Sequence, residues 1–127
     1  VEIITLNDWG ISPYNEVIDS RDIAERIKKL QDTKENVELK EWEEDELNAL
    51  VALSEEASGY SDDWEYGSTL IRDSYFKEYA QDLAYECGAI SNDISWPLHC
   101  IDWDQAAYEL KMDYTEVEYA GYAYWIR

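Results

Sequence analysis

The apolar positions of residues 73–87 recur at helical spacing. Phe76, Tyr79, Ala80, Leu83, Ala84 and Cys87 stand at i, i+3, i+4, i+7, i+8 and i+11, the pattern of one buried helix face. Asp73 or Ser74 is suited to cap the N-terminus, and Gly88 falls where a left-handed C-terminal cap is wanted. Glu78, Asp82 and Glu86 occupy the other face, about 6 Å apart along the axis at 1.5 Å rise per residue. Two further helices are predicted upstream. In the first, Asp19 is the cap, Ile18 and Ile23 form a hydrophobic staple, and Ile23, Ile27 and Leu30 share a face that runs to about Gln31. The second runs from about Lys40 to Ser58, with Leu47, Leu50, Val51, Ser54 and Ala57 on one face, widened by Trp42 and Leu53. The two can pair as a helical hairpin.

Downstream the period changes. Ala89 to Cys100 reads as a loop. Ile101-Asp102-Trp103-Asp104-Gln105 then opens a helix, with Asp102 and Gln105 placed for a capping box. Thr115, Val117 and Tyr119 alternate with Tyr114, Glu116 and Glu118. Ala120-Gly121 turns the chain, and Tyr122 to Arg127 returns as the second strand of a β-hairpin. Tyr66 to Ile71 is ambiguous between a strand and a helical turn, and Val1 to Leu6 is a β-prone run suited to an edge strand or a loose tail. The expected fold class is α+β: an N-terminal helical hairpin over residues 1–60, then a small α+β domain over 61–127 that ends in the hairpin, with a joint near Ser58 to Glu65.

Charge changes this picture most. The 127 residues hold 30 acids and 10 bases, a net charge of −20. A globule of this length has a diameter of roughly 36 Å, and duplex DNA of that length carries about 21 phosphate charges. The chain therefore matches the charge of a DNA segment its own size. Direct nucleic-acid binding is disfavoured and a basic partner is favoured. The acids are unevenly spread. Residues 1–34 have 7 acids and 5 bases, whereas residues 35–65 have 12 acids and one base, Lys40. Solvated acidic helix faces usually interleave Lys and Arg, and this one does not. An ordinary solvated surface, salt adaptation and weak calcium binding compete as explanations.

The residues that could carry chemistry are few. Cys87, Cys100 and His99 are too few for a typical structural zinc site, and Cys87 on the apolar face reads as a buried, inert thiol. Ser61-Asp62-Asp63 lacks the pattern of a calcium loop. Asp102 and Asp104 resemble a catalytic carboxylate pair, but their place at a helix start assigns them to capping. No spacing demands two converging carboxylates and no Gly-rich phosphate loop is present, so no enzyme activity, metal or cofactor is expected. No apolar stretch is long enough to span a membrane, no secretory leader pattern is visible, and nothing in the cysteine usage argues for an oxidising compartment; a cytoplasmic location in a host cell is expected.

Three blocks carry a family resemblance: Tyr66-Gly67-Ser68-Thr69-Leu70-Ile71-Arg72-Asp73-Ser74-Tyr75-Phe76, then Tyr79-Ala80-Gln81-Asp82-Leu83-Ala84, then Cys100-Ile101-Asp102-Trp103-Asp104-Gln105-Ala106-Ala107-Tyr108-Glu109-Leu110. Their order resembles the C-terminal domain of the ArdA-type antirestriction proteins of plasmids, transposons and phages, over roughly residues 66–127, about half of the chain. The resemblance implies an acidic mimic of duplex DNA from a phage or mobile element, acting on a type I restriction–modification enzyme. A mimic directed at another basic DNA-binding protein, such as a CRISPR effector, fits the residues as well, and an acidic protein-interaction adaptor remains the alternative. The resemblance leaves a homodimer open. The acids expected to stand in for phosphates are Glu41, Glu43, Glu44, Asp45, Glu46, Glu55 and Glu56 on the second helix, and Glu78, Asp82 and Glu86 on the third. They are expected to form one continuous surface. Tyr85, on the acidic side of its helix, could add a contact or be a partly exposed tyrosine without a role.

Overall fold

The computed structural model describes residues 9–127. The expectation for residues 1–6 lies outside the described part. The elements are β1 (Val17–Asp19), α1 (Ser20–Asn36), α2 (Glu41–Ser58), β2 (Thr69–Arg72), α3 (Phe76–Glu86), α4 (Trp103–Lys111), β3 (Thr115–Tyr119) and β4 (Tyr122–Ile126), and the class is α+β as expected. The four strands form one antiparallel sheet in the order β1-β2-β4-β3.

Alternation along the strands sorts their side chains between two cores, because successive residues of a strand point to opposite faces. Ile18, Leu70, Val117, Tyr119, Tyr124 and Ile126 join Ile23 and Leu30 of α1 and Leu47, Leu50, Leu53 and Ala57 of α2 in the larger core. Ile71 joins Phe76 and Ala80 of α3 and Ala107 of α4, with Trp125 packed against them, in the smaller one. The molecule thus has three layers, with α1 and α2 on one face of the sheet and α3 and α4 on the other. The boundary expected after residue 60 falls inside the larger core, which draws side chains from both sides of it. The expected joint is also tied down. Ser20 Oγ accepts from the Ser68 N–H at 2.6 Å and donates to the Trp64 carbonyl at 2.8 Å, while the Ser61 and Ser68 hydroxyls lie 2.5 Å apart.

Local signals held where their chemistry was local. Asp19 caps α1, its Oδ1 accepting from the Arg21 N–H at 2.8 Å, with both staple residues Ile18 and Ile23 buried. Asp102 Oδ1 accepts from the Gln105 N–H at 3.1 Å. Gly88, at φ +76°, closes α3: the Ala89 N–H reaches the Ala84 carbonyl and the Gly88 N–H reaches Tyr85, the two bonds of a Schellman cap. Three expectations need correction. Helix α1 continues to Asn36 rather than stopping near Gln31, its second half bonded through Thr33 and Asn36 side chains to carbonyls four residues back. Residues Asp73–Tyr75 form a 3-10 turn ahead of α3, and Asp73 does not cap it. Asp73 Oδ1 instead accepts from Lys111 Nζ at 2.8 Å and Trp125 Nε1 at 2.9 Å, which hold its carboxyl below the usual range. Cys87 is exposed, not buried, because α3 ends before its last predicted apolar position reaches the core.

Both sheet edges are guarded against pairing with another chain. β1 is three residues long, and on β3 the Glu118 N–H is taken by Glu56 Oε1 at 3.0 Å, with Glu116 and Glu118 exposed along the strand. The hairpin turn Ala120-Gly121 has φ of +52° and +86°, so both central residues are left-handed, the type I′ geometry. Alanine is strained there, whereas asparagine is accommodated. We expect Ala120→Asn to raise stability by roughly 0.5–1 kcal/mol. Denaturant titration should show a higher midpoint with an unchanged slope.

Candidate acidic interaction surface

Of the ten acids expected to present charge, Glu46 does not. It is fully buried, and that is a correction to the expected surface. Arg26 Nε and Nη2 donate to its two oxygens at 2.9 Å each, and the backbone N–H groups of Gly10 and Ile11 donate at 3.1 and 3.0 Å. The contact holds the Arg26 guanidinium above its ordinary pKa. The carboxylate is fully consumed at the junction of α1, α2 and the segment before β1, so it cannot face a partner. The hydrophobic pattern itself contained a clue, since Glu46 adjoins the core position Leu47 and lies one turn before Leu50.

Three other acids of α2 also have structural tasks. Glu43 Oε1 accepts from the Lys40 N–H at 3.1 Å at the helix start, Glu44 pairs with Lys34 at 3.1 Å, and Glu56 holds the β3 edge. Glu41, Asp45 and Glu55 are exposed and make no ion pair among the described residues. Asn48 and Ala52 stand between Asp45 and Glu55 on the exposed side, so the stripe is interrupted.

On α3, by contrast, Glu78, Asp82 and Glu86 are all exposed, one turn apart, and none is in an ion pair among the described residues. The Tyr75 hydroxyl donates to Asp82 Oδ2 at 3.4 Å. Partial burial, then the charges of Asp82, Glu16 and Glu78, push that phenol above its ordinary pKa. Glu16, just before β1, is exposed, and its carbonyl accepts from the Arg72 N–H at 2.8 Å, which sets it beside the turn that leads into α3. Sequence periodicity did not reveal this, because β1 was not legible as a strand. Tyr85 is exposed and lies against Trp103, ring centroids 6.5 Å apart. The α2 and α3 acids sit on opposite faces of the sheet, so the two sets could join only around its edges. The expectation of one shared surface rested on each helix carrying its acids opposite an apolar face, and that pattern does not set where the two helices lie relative to each other.

The suspected pair Asp102 and Asp104 is structural: Asp102 caps α4 and Asp104 pairs with Lys77 at 3.1 Å. Among the described residues, no three His, Cys, Asp or Glu side chains converge as a metal-ligand set, and no helix is long and apolar enough to cross a membrane. A cleft of about 400 Å³ lies between residues 60–63, the sheet and Tyr79 of α3. No family model, curated protein or solved structure matches the chain.

The polar groups buried under this surface generate two expectations. Glu46→Ala strands Arg26 and two backbone N–H groups, and should cost roughly 3–5 kcal/mol. Glu55→Ala, on the exposed side of the same helix, should stay within about 0.5 kcal/mol. Paired denaturation curves test the contrast. The second concerns alkali. Burial raises the pKa of Tyr119 and Tyr114, and pushes Tyr124 up to about 12. Their unfolded values lie near 10. Because the folded state retains these protons longer, the stability they contribute is fully present below about pH 10 and is lost as pH rises through the folded values. Thermal melts should be flat toward pH 9 and fall above about pH 10, with Tyr124→Phe flattening the fall.

Proposed function

We propose that the protein is an acidic DNA mimic that inhibits a basic DNA-binding defence enzyme, of the restriction–modification kind, without itself catalysing a reaction. The observation that carries this reading is the division of roles between bases and acids. Four of the five ion pairs among the described residues join one element to another: Arg26–Glu46 and Lys34–Glu44 between α1 and α2, Lys77–Asp104 between α3 and α4, and Lys111–Asp73 between α4 and the turn before α3. These four bases thus serve the fold, while Glu41, Asp45, Glu55, Glu78, Asp82 and Glu86 are left without a cation among the described residues. A basic channel built for duplex DNA would supply the missing charge. The residues proposed to enter it first are the α3 row with Glu16. The similarity of residues 66–127 to the antirestriction proteins supports the choice of target class, and a CRISPR effector would satisfy the same electrostatics.

A second reading, an acidic interaction adaptor, is favoured by Trp96 and Leu98, which are 76% and 72% exposed on the loop before α4. Competition separates the two. A type I restriction enzyme held on labelled duplex should release it when the protein is added at low salt, and release should weaken steeply as salt rises. Glu78→Gln/Asp82→Gln/Glu86→Gln should lose most of the competition and Trp96→Ala little. Failure against both a restriction enzyme and a CRISPR effector at low salt, or loss with Trp96→Ala alone, overturns the mimic reading.

A further inference from the structure

The third layer leaves part of the sheet uncovered, and the chemistry of that opening differs from the rest of the acidic surface. Its floor is Thr69 and Ile71 of β2. One wall is Tyr60 with Asp62 and Asp63, and the other is Tyr79 and Tyr114. The volume of about 400 Å³ is in the range of clefts that enclose a small group. Tyr79 and Tyr114 are half-buried and fixed: their hydroxyls lie 3.3 Å apart and both rings pack on Phe76, at 5.7 and 5.2 Å between centroids. Tyr60 is 58% exposed, and the side chains of Asp62 and Asp63 are exposed with no ion pair among the described residues. The wall that carries them is anchored from behind by the Ser61, Ser68 and Ser20 hydroxyls, so the opening is held in place before any ligand arrives.

We infer that this cleft receives an arginine side chain of the protein's partner. A guanidinium presents a flat cationic face to tyrosine rings and a fork of donors to carboxylates, and the cleft is lined by both. An ammonium would satisfy the carboxylates but lose the planar stacking. Burial keeps the Tyr114 phenol protonated well above neutral pH, so that wall stays uncharged and aromatic. Arg127, at the rim of the same cleft, is exposed, makes no ion pair among the described residues and acts on the Tyr114 phenol to lower its pKa, so its charge opposes an incoming cation. The inference rests on the partner being a basic protein. It adds one short-range anchor to an otherwise long-range attraction.

The test uses the full chain, isotope-labelled, with N-acetyl-arginine amide and N-acetyl-lysine amide as probes followed by amide NMR shifts. Saturable shifts confined to the amides of residues 60–69, 79 and 114 are expected, stronger for arginine than for lysine. Asp62→Asn/Asp63→Asn should weaken arginine binding roughly fivefold or more, as should Tyr60→Ala, and Arg127→Ala should tighten it. All four positions are exposed, and an unchanged spectrum elsewhere verifies the fold of each variant. Shifts that never saturate, that spread over the acidic helices, or that are equal for the two probes and unaltered by the variants overturn the inference. The same Asp62/Asp63 variant is then run in the duplex competition. Arginine binding in a protein that displaces no DNA leaves the cleft standing and removes the mimic reading. Full DNA displacement by a variant that has lost arginine binding leaves mimicry standing and removes the cleft from the partner contact.

Discussion

The Glu46 carboxylate is the constraint on which the larger core depends. A buried charge is tolerated only with a counter-charge and a full set of hydrogen bonds. Here the set comes from Arg26 on α1 and from the Gly10 and Ile11 backbone. One side chain therefore fixes the pairing of the two long helices and the path of the segment ahead of β1. That segment has no ladder of its own, so its polar backbone groups must be met by side chains. Glu46 takes its N–H groups. The Tyr119 hydroxyl donates to the Ile11 carbonyl at 2.5 Å, and the Tyr124 hydroxyl lies 2.8 and 2.6 Å from the Pro13 and Asn15 carbonyls. The hairpin at the end of the chain and the irregular segment near its start are thereby locked through two buried phenols.

A chain of net charge −20 repels itself when folded, and the placement of its ten bases answers that repulsion. Lys77 and Lys111 bind the outer helices to each other and to the turn before α3, and Arg26 and Lys34 do the same for the inner pair. Arg72 is treated differently. Its guanidinium lies 4.8 Å from the Tyr122 ring centroid and 5.8 Å from that of Tyr14, so a cation helps close the first segment over the sheet without using a carboxylate. Lys28, Lys29, Lys40 and Arg127 make no ion pair among the described residues, but 10 bases against 30 acids still leave a surplus of acid, and that surplus underlies the proposed partnership with a basic channel.

The resulting surface is two-sided. The sheet separates the α2 acids from the α3 acids, and the structural duties of Glu43, Glu44, Glu46 and Glu56 thin the first set more than the second. The α3 face also adjoins the tyrosine-lined cleft, where Tyr79 turns toward the opening and Glu78 and Asp82 project from the exposed side of the same helix. Dense charge and a shaped recess therefore meet in one layer, which makes that layer the better candidate for a specific contact.

What the sequence determined by itself was whatever depends on neighbours a few residues apart. The cap at Asp19, the Gly88 terminus, the core face of α2, the Phe76–Ala80 part of the α3 face and the alternating hairpin all follow from local spacing and turn chemistry, and each stands in the structure. The α+β class followed from the same elements. Tertiary structure decided the rest, because it depended on partners far along the chain. β1 has three residues and no periodicity to announce it, and it exists because Ile18 and its neighbours pair with Thr69–Ile71. The same pairing brings the two halves around one sheet and puts α2 and α3 on opposite faces. In sequence Glu46 differs from its acidic neighbours only in adjoining the core positions Leu47 and Leu50, which names no partner for it. Only the approach of Arg26, twenty residues away, and of Gly10 and Ile11, more than thirty away, turns it from a surface charge into the anchor of the core.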